Sequence, residues 1–219
     1  PITKEWTQDD LRFATQLGCA EMVRSGITAV IYLQGIRTSF EGIENDIHAM
    51  REDGIRTLIA RGIRERTARA EKWNNPEWIT PYNIDEEISI TEQLIRKWNT
   101  PDNLMTHVWP APSAIWYSTR EGLLKIKDLA ERYKTGIHLH VAETRDCQTA
   151  CIQDFGCREV ELLSELGLLQ HLTHAVHAVW LTRREIKLLS ESGCSVIHNP
   201  VSNCYIADGI AEVSSMARF

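Results

Sequence analysis

The stretch Leu123-Leu124-Lys125-Ile126-Lys127-Asp128-Leu129-Ala130-Glu131-Arg132-Tyr133-Lys134-Thr135-Gly136-Ile137-His138-Leu139-His140-Val141 holds the fold in miniature. Leu123, Ile126, Leu129 and Ala130 recur at helical spacing and form one apolar stripe. Thr135-Gly136 follows, and glycine is the residue expected just past a helix, where the backbone turns left-handed. Ile137–Val141 then reads as a strand. The same unit recurs on both sides. Ser25-Gly26 precedes Ile27–Leu33, Asp53-Gly54 precedes Ile55–Ala60, and Ser192-Gly193 precedes Cys194–Ile197. These runs are nearly continuous in apolar residues, as parallel strands covered on both faces are. Two more strands complete the alternation, Leu104–Val108 and Leu172–Val179.

Helix starts support this reading. Thr7 with Asp10 resembles a capping box, and Ser118 with Glu121 and Thr182 with Glu185 fit the pattern fully. Val160, Leu163, Leu166 and Gly167 give a second stripe. Six strands alternating with helices predict an α/β fold with a parallel sheet. Six units suit an open doubly wound sheet or three-quarters of a (β/α)8 barrel. Neither G-x-G-x-x-G nor G-x-x-x-x-G-K-[ST] is present, which removes the usual nucleotide-binding reasons for an open sheet. The connection from Arg61 to Ile84 is long. It contains Arg61, Arg64, Arg66, Arg69, Trp73 and Trp78. It reads either as a substrate-facing loop or as a surface insertion whose tryptophans pack down on the body.

Composition narrows the function. The 219 residues are 43% hydrophobic and 25% charged, enough to build a core and too ordered a mixture for a disordered chain. Lys and Arg number 24 against 30 Asp and Glu, a net charge of −6 that argues against a nucleic-acid or anionic-membrane partner. No apolar run approaches the roughly 20 residues that span a bilayer. Six dispersed cysteines suit reduced thiols and a cytoplasmic location better than a disulfide framework. No signal peptide is expected from the opening at Pro1, and the end at Phe219 suggests a piece of a longer protein.

The chemistry sits in histidines at strand ends. Five of the eight are His138, His140, His174, His177 and His198. Residues two apart on a strand share a face, so His138 and His140 point the same way, with His140 nearer the carboxyl end. Glu143 falls on the other face by parity and joins His140 only if the strand end bends. Imidazoles from adjacent strands and a carboxylate that moves protons are what a catalytic metal site needs. His140, Glu143 and His174 are of the right types at the right ends. A hydrogen-bonded core histidine is the ordinary alternative for each imidazole. His138 reads as packed core, and His177, three residues from His174, as facing away and structural. His107 reads as core, and His48 and His171 as surface. Cys147 and Cys151, one helical turn apart, have no second pair to complete a zinc site. No G-x-S-x-G elbow is present.

Three motifs in this order resemble the amidohydrolase superfamily: Ile137-His138-Leu139-His140-Val141-Ala142-Glu143-Thr144, Thr173-His174-Ala175-Val176-His177, and His198-Asn199-Pro200-Val201-Ser202-Asn203. The likeness is to the branch of guanine and cytosine-type deaminases, adenosine-analogue deaminases and triazine chlorohydrolases. It extends to Leu17–Thr28 and Ile206–Ala211 and so covers nearly the whole chain.

The resemblance implies a (β/α)8 TIM-type barrel, incomplete over residues 1–219, which would hold about six of the eight strand–helix units. It also implies one divalent metal, zinc first and iron as the alternative. His140 would be a metal ligand. Glu143 would be the acid/base. His174 would hold the attacking water or touch the metal. Ser202 and Asn203 would shape the substrate floor. The expected function is hydrolytic deamination of a small nitrogen heterocycle. The alternatives are triazine-type C–Cl cleavage and an inactive barrel relative serving as a scaffold. The family's His-x-His of strand one and Asp of strand eight have no counterpart here, so the 219 residues alone are expected to be inactive. The exposed edges of the first and last strands are expected to drive self-association. Pro110-Ala111-Pro112 lacks the His that adenosine-analogue deaminases place after a proline, which points away from an adenosine-type substrate.

Overall fold

The computed structural model describes residues 6–34, 39–65, 67–73 and 83–219. Arg66 and Trp78 lie outside them. All six predicted strands form: β1 (Ala29–Gln34), β2 (Arg56–Ile63), β3 (Thr106–Pro112), β4 (Ile137–Val141), β5 (Thr173–His177) and β6 (Ser195–Ile197). Every pairing is parallel. Sheet order follows chain order, β1-β2-β3 and β4-β5-β6, and a parallel bridge between Ala114 and His140 joins the two halves. A doubly wound sheet reverses its strand order, whereas a barrel wall runs on in one direction. The architecture is therefore of the barrel kind, although the described strands close no barrel.

Helices cover one face. α1 (Gln8–Arg24), α2 (Phe40–Glu52) and α4 (Ile84–Trp98) enclose Ile59 and Val108 with Ile43, Ile47, Leu94 and Ile95. α5 (Arg120–Tyr133), α7 (Glu159–Glu165) and α8 (Arg183–Ser192) enclose Leu139, Val141 and Ala175 with Leu123, Val160 and Leu189. The short α3 (Ala68–Lys72), α6 (Arg145–Phe155), α9 (Pro200–Tyr205) and α10 (Val213–Met216) fill the connections. By strand parity the opposite face carries Trp109, His138, His140, His174 and Val176.

Several local expectations are corrected. β3 starts two residues late and runs four further than predicted, which leaves Leu104 outside the strand and exposed. His107 is exposed on the face that the helices leave open, not in the core. The first residue of the long connection, Arg61, belongs to β2. Its buried side chain pairs with buried Glu87 of α4, so it faces the helices and not a substrate. Of the two tryptophans expected to pack down, Trp73 touches Trp116 with ring centroids 4.8 Å apart but stays exposed.

α5 is capped by Thr119, not Ser118. The Thr119 hydroxyl accepts from Gly122 N–H at 3.0 Å. No local carboxylate closes that box, because Glu65 beyond β2 accepts from Thr119 N–H (2.9 Å) and Oγ1–H (2.7 Å). The boxes of Thr7/Asp10 and Thr182/Glu185 form as expected. At the end of α5 it is Lys134 (φ 53°) that turns left-handed. Gly136 is required for another reason, since a Cβ there would lie 2.2 Å from both the Leu172 carbonyl oxygen and the Trp109 ring.

Candidate active site

The site forms where β4 and β5 end. Their register sets His138 beside His174, and Val141 beside His177. Beyond Val141 the chain turns sharply, because Ala142 has φ 53°. That is the bend Glu143 needs to leave the helix-facing side. At the end of β5, His177 (φ 71°) and Ala178 (φ 51°) turn likewise. Left-handed backbone is unfavourable for residues with a Cβ, so three of them at two adjacent strand ends must be held by their surroundings. Hydrogen bonds do this. Val141 carbonyl accepts from Ala178 N–H at 3.0 Å, and Ala142 carbonyl accepts from Val179 (3.0 Å) and Trp180 (2.8 Å) N–H.

These turns bring three side chains together. The His140 and His177 rings stack with centroids 5.2 Å apart. His177 Nε2 lies 3.3 Å from Glu143 Oε1. His140 Nδ1–H donates to the Ser113 carbonyl oxygen at 2.5 Å, and Arg64 Nε–H donates to Ser113 Oγ at 3.2 Å. A carbonyl can only accept, so the His140 proton sits on Nδ1 and Nε2 presents its lone pair. His177 Nδ1–H likewise donates to Asn203 Oδ1 at 2.6 Å, which leaves Nε2 toward Glu143. Burial is the main force holding His140 below the ordinary imidazole range, opposed by its Ser113 bond and by Glu143. Its burial thus favours the neutral ring.

Asp208 completes the group. One oxygen or nitrogen from each of Glu143, His177 and Asp208 falls within 4.8 Å of the others, close enough to share a cation. Asp208 is buried, and its Oδ2 has no hydrogen-bond partner. Its pKa is raised, by burial first and then by Glu143, against the pull of His177. Buried Asn203 also keeps an unpartnered donor, Nδ2. Orphaned buried polar atoms beside a bare imidazole nitrogen are what a site built for a cation and a polar ligand leaves behind. Imidazole nitrogen and carboxylate oxygen are donors that zinc and iron accept. The residues present fit a divalent metal.

The expected residues divide. His140, Glu143 and Asn203 come together. His174 does not join them. Its Nδ1 lies 3.5 Å from Nδ1 of His138 and its ring 4.9 Å from that of Trp109, one layer deeper. Ser202 is exposed on α9. His177, expected to face away, instead lies against Glu143 and stacks on His140, because the parity rule fails once φ turns positive. His138 is buried as expected, and its imidazole is pushed down to about 3, mainly by burial and then by His174 and His140. Asp208 was not anticipated. It lies in a loop, where neither strand parity nor helix spacing applies.

Comparison with known proteins points to one family. The profile described as "Amidohydrolase family" matches residues 4–218. A 5'-deoxyadenosine deaminase of Methanothrix thermoacetophila is 32% identical over 216 residues, covering 99% of this chain and 46% of the relative. The chain thus spans about half the length of the curated relatives it matches. An adenosine deaminase from Xanthomonas campestris with bound zinc superposes with a TM-score of 0.81 at 26% identity, over 97% of this chain and 44% of that one. A triazine hydrolase from Arthrobacter aurescens superposes with a TM-score of 0.89 at 19% identity, over 99% and 48%, which speaks for the fold alone. A sheet ordered as a barrel wall, imidazole and carboxylate gathered at the carboxyl ends of two neighbouring strands, and a profile match over nearly the whole length have one common explanation: the chain belongs to the amidohydrolase family.

Proposed function

We propose that this chain carries the proton-handling part of a metal-dependent hydrolase that deaminates a small nitrogen heterocycle. The observation that carries the reading is the contact of His177 Nε2 with Glu143 Oε1 at 3.3 Å, beside His140 with its Nε2 lone pair free. The deaminase names of the relatives near 30% identity support it.

His140 would hold the divalent ion through Nε2, with zinc the first choice and iron the second. Such an ion supplies Lewis acidity and makes ionised water available near neutral pH. The chain's own groups do the rest. Asn203 fixes the His177 proton on Nδ1. The ring's Nε2 is turned toward the Glu143 carboxylate, 3.3 Å away. Glu143 is thereby poised to take a proton from attacking water and deliver it to the ring nitrogen or the leaving amine. His177 stabilises Glu143 in each state and orients the water. Asp208 Oδ2, which has no protein partner, is available to a substrate N–H or to the cation. Asn203 belongs to the substrate floor, and Ser202 lies at its rim. His174, packed on His138 and Trp109, lines the deeper layer of the same face.

The named relatives favour an adenosine-type substrate over the expectation drawn from Pro110-Ala111-Pro112. The test is release of ammonia from 5'-deoxyadenosine, adenosine, guanine and cytosine, and of chloride from a chlorotriazine. The longest natural protein containing this chain should be loaded with zinc or iron for the assay. Ammonia from a purine nucleoside is the expected result. Chloride alone would favour the chlorohydrolase alternative, and release of neither would favour an inactive scaffold.

A further inference from the structure

Immediately ahead of and within α7 stand two adjacent residues of opposite charge, Arg158 and Glu159. Each reaches the backbone of one of the two strand ends that carry the site. Glu159, 2% exposed, accepts from Ala142 N–H through Oε2 at 2.5 Å. The same oxygen accepts from Gln148 Nε2 at 3.2 Å. Arg158 donates through Nη2 to the Trp180 carbonyl. Its Nε donates to Glu185 Oε2 at 2.8 Å, and that buried carboxylate also caps α8 through Thr182. Between these two anchors, Ala142 carbonyl already accepts from Trp180 N–H. Both polar groups of the left-handed Ala142 peptide unit are thus committed, one to β5's extension and one to Glu159.

We propose that Arg158 and Glu159 form a clamp across the ends of β4 and β5 that sets the separation of Glu143 from His177. They are positioning residues for the hydrolytic reaction, and this role rests on the function proposed above. Ala142 immediately precedes Glu143, so a rotation of its φ toward ordinary strand values would swing the carboxylate back to the helix-covered face. Trp180 follows His177 by three residues, so its carbonyl fixes the other half of the pair. Neither clamp residue touches the reacting atoms. A neutral acceptor of the same shape should serve in place of Glu159, because the N–H needs an oxygen and not a charge.

The test uses the longest natural protein containing this chain, with Glu159→Leu, Glu159→Gln and Arg158→Met. Three quantities are read: kcat and KM for ammonia release from 5'-deoxyadenosine, hydrogen exchange of the Ala142 amide, and the melting temperature. With Glu159→Leu, kcat should fall at least tenfold with KM within twofold. Ala142 should exchange at least tenfold faster while Leu139 in mid-strand stays protected. Glu159→Gln should restore both. A folded Leu variant with wild-type kcat and Ala142 exchange would overturn the clamp. So would a Gln variant as impaired as the Leu one. If Glu159→Leu does not fold, Arg158→Met carries the test: a tenfold fall in kcat at unchanged melting temperature supports the clamp, and unchanged kcat overturns it. If the wild type releases no ammonia, the functional reading fails separately, and the exchange of Ala142 in the Leu and Gln variants still decides whether Glu159 holds the strand end.

Discussion

Glu143 and His177 owe their partnership to backbone angles as much as to side-chain chemistry. Removing the carboxylate charge while keeping its shape, Glu143→Gln, should lower kcat by about 10²–10⁴, the usual contribution of a general base. Binding should be nearly unaffected, so KM moves little. Asn203→Ala removes the acceptor that fixes the His177 tautomer, and losing such a supporting bond is expected to cost roughly 10–100-fold in activity or metal affinity. Isothermal titration with zinc beside steady-state kinetics separates the two outcomes. His140 and Glu143 were legible in the sequence because their spacing, with a bend after Val141, puts both at one strand mouth. His177 was misread because parity assumes extended backbone, and the structure breaks that at φ 71°. The register supplies the better signal. His174 pairs with His138, whereas His177 pairs with Val141 at the mouth, so counting layers back from the strand ends identifies the imidazole that lies beside Glu143.

Elements were the most legible scale. Each strand was announced by an apolar run after a helix, and four of them by a glycine. Gly26, Gly54 and Gly193 do take the left-handed turn. Gly136 does not, and its role depends on β3 and the Leu172 carbonyl coming close, which no local pattern reveals. Gly136→Ala should therefore destabilise the fold by at least the 1–3 kcal/mol typical of overpacking, because one of the two crowded groups is rigid backbone. The bond between Arg61 of β2 and Glu87 of α4 was equally hidden, since 26 residues separate the partners. Both are essentially inaccessible to solvent. Glu87→Leu removes the carboxylate that neutralises a buried guanidinium and should cost about 3–5 kcal/mol by urea denaturation. Replacing both, Arg61→Met with Glu87→Leu, should recover most of that loss. Recovery would show that the pair matters for its mutual neutralisation more than for net attraction.

At the scale of the molecule, strand order decided the fold where strand count could not. Six strands in unbroken sequence, linked across Ala114 and His140, form a barrel wall with helices outside and histidines within. Two buried groups bend its stability with pH in opposite directions. The carboxyl of Glu159 is pushed up to about 7, chiefly by burial, so its contribution is fully present below its ordinary value of 4.5 and is lost as pH rises to about 7. That difference of about 2.5 pH units corresponds to about 3 kcal/mol. Glu159→Gln should remove the decline, which denaturant titration at pH 5 and pH 8 would show. His138, held down to about 3, contributes stability that is present above 6.5 and is lost as pH falls toward 3. The central claim concerns the gathered imidazole and carboxylate groups. It is tested most directly by ammonia release from 5'-deoxyadenosine, comparing the wild-type longest natural protein with its Glu143→Gln variant, both loaded with zinc. The expected result is steady release by the wild type and a loss of two orders of magnitude or more in the variant. Equal release by the two proteins would contradict the role given to Glu143 and, with it, the proposed chemistry of the site.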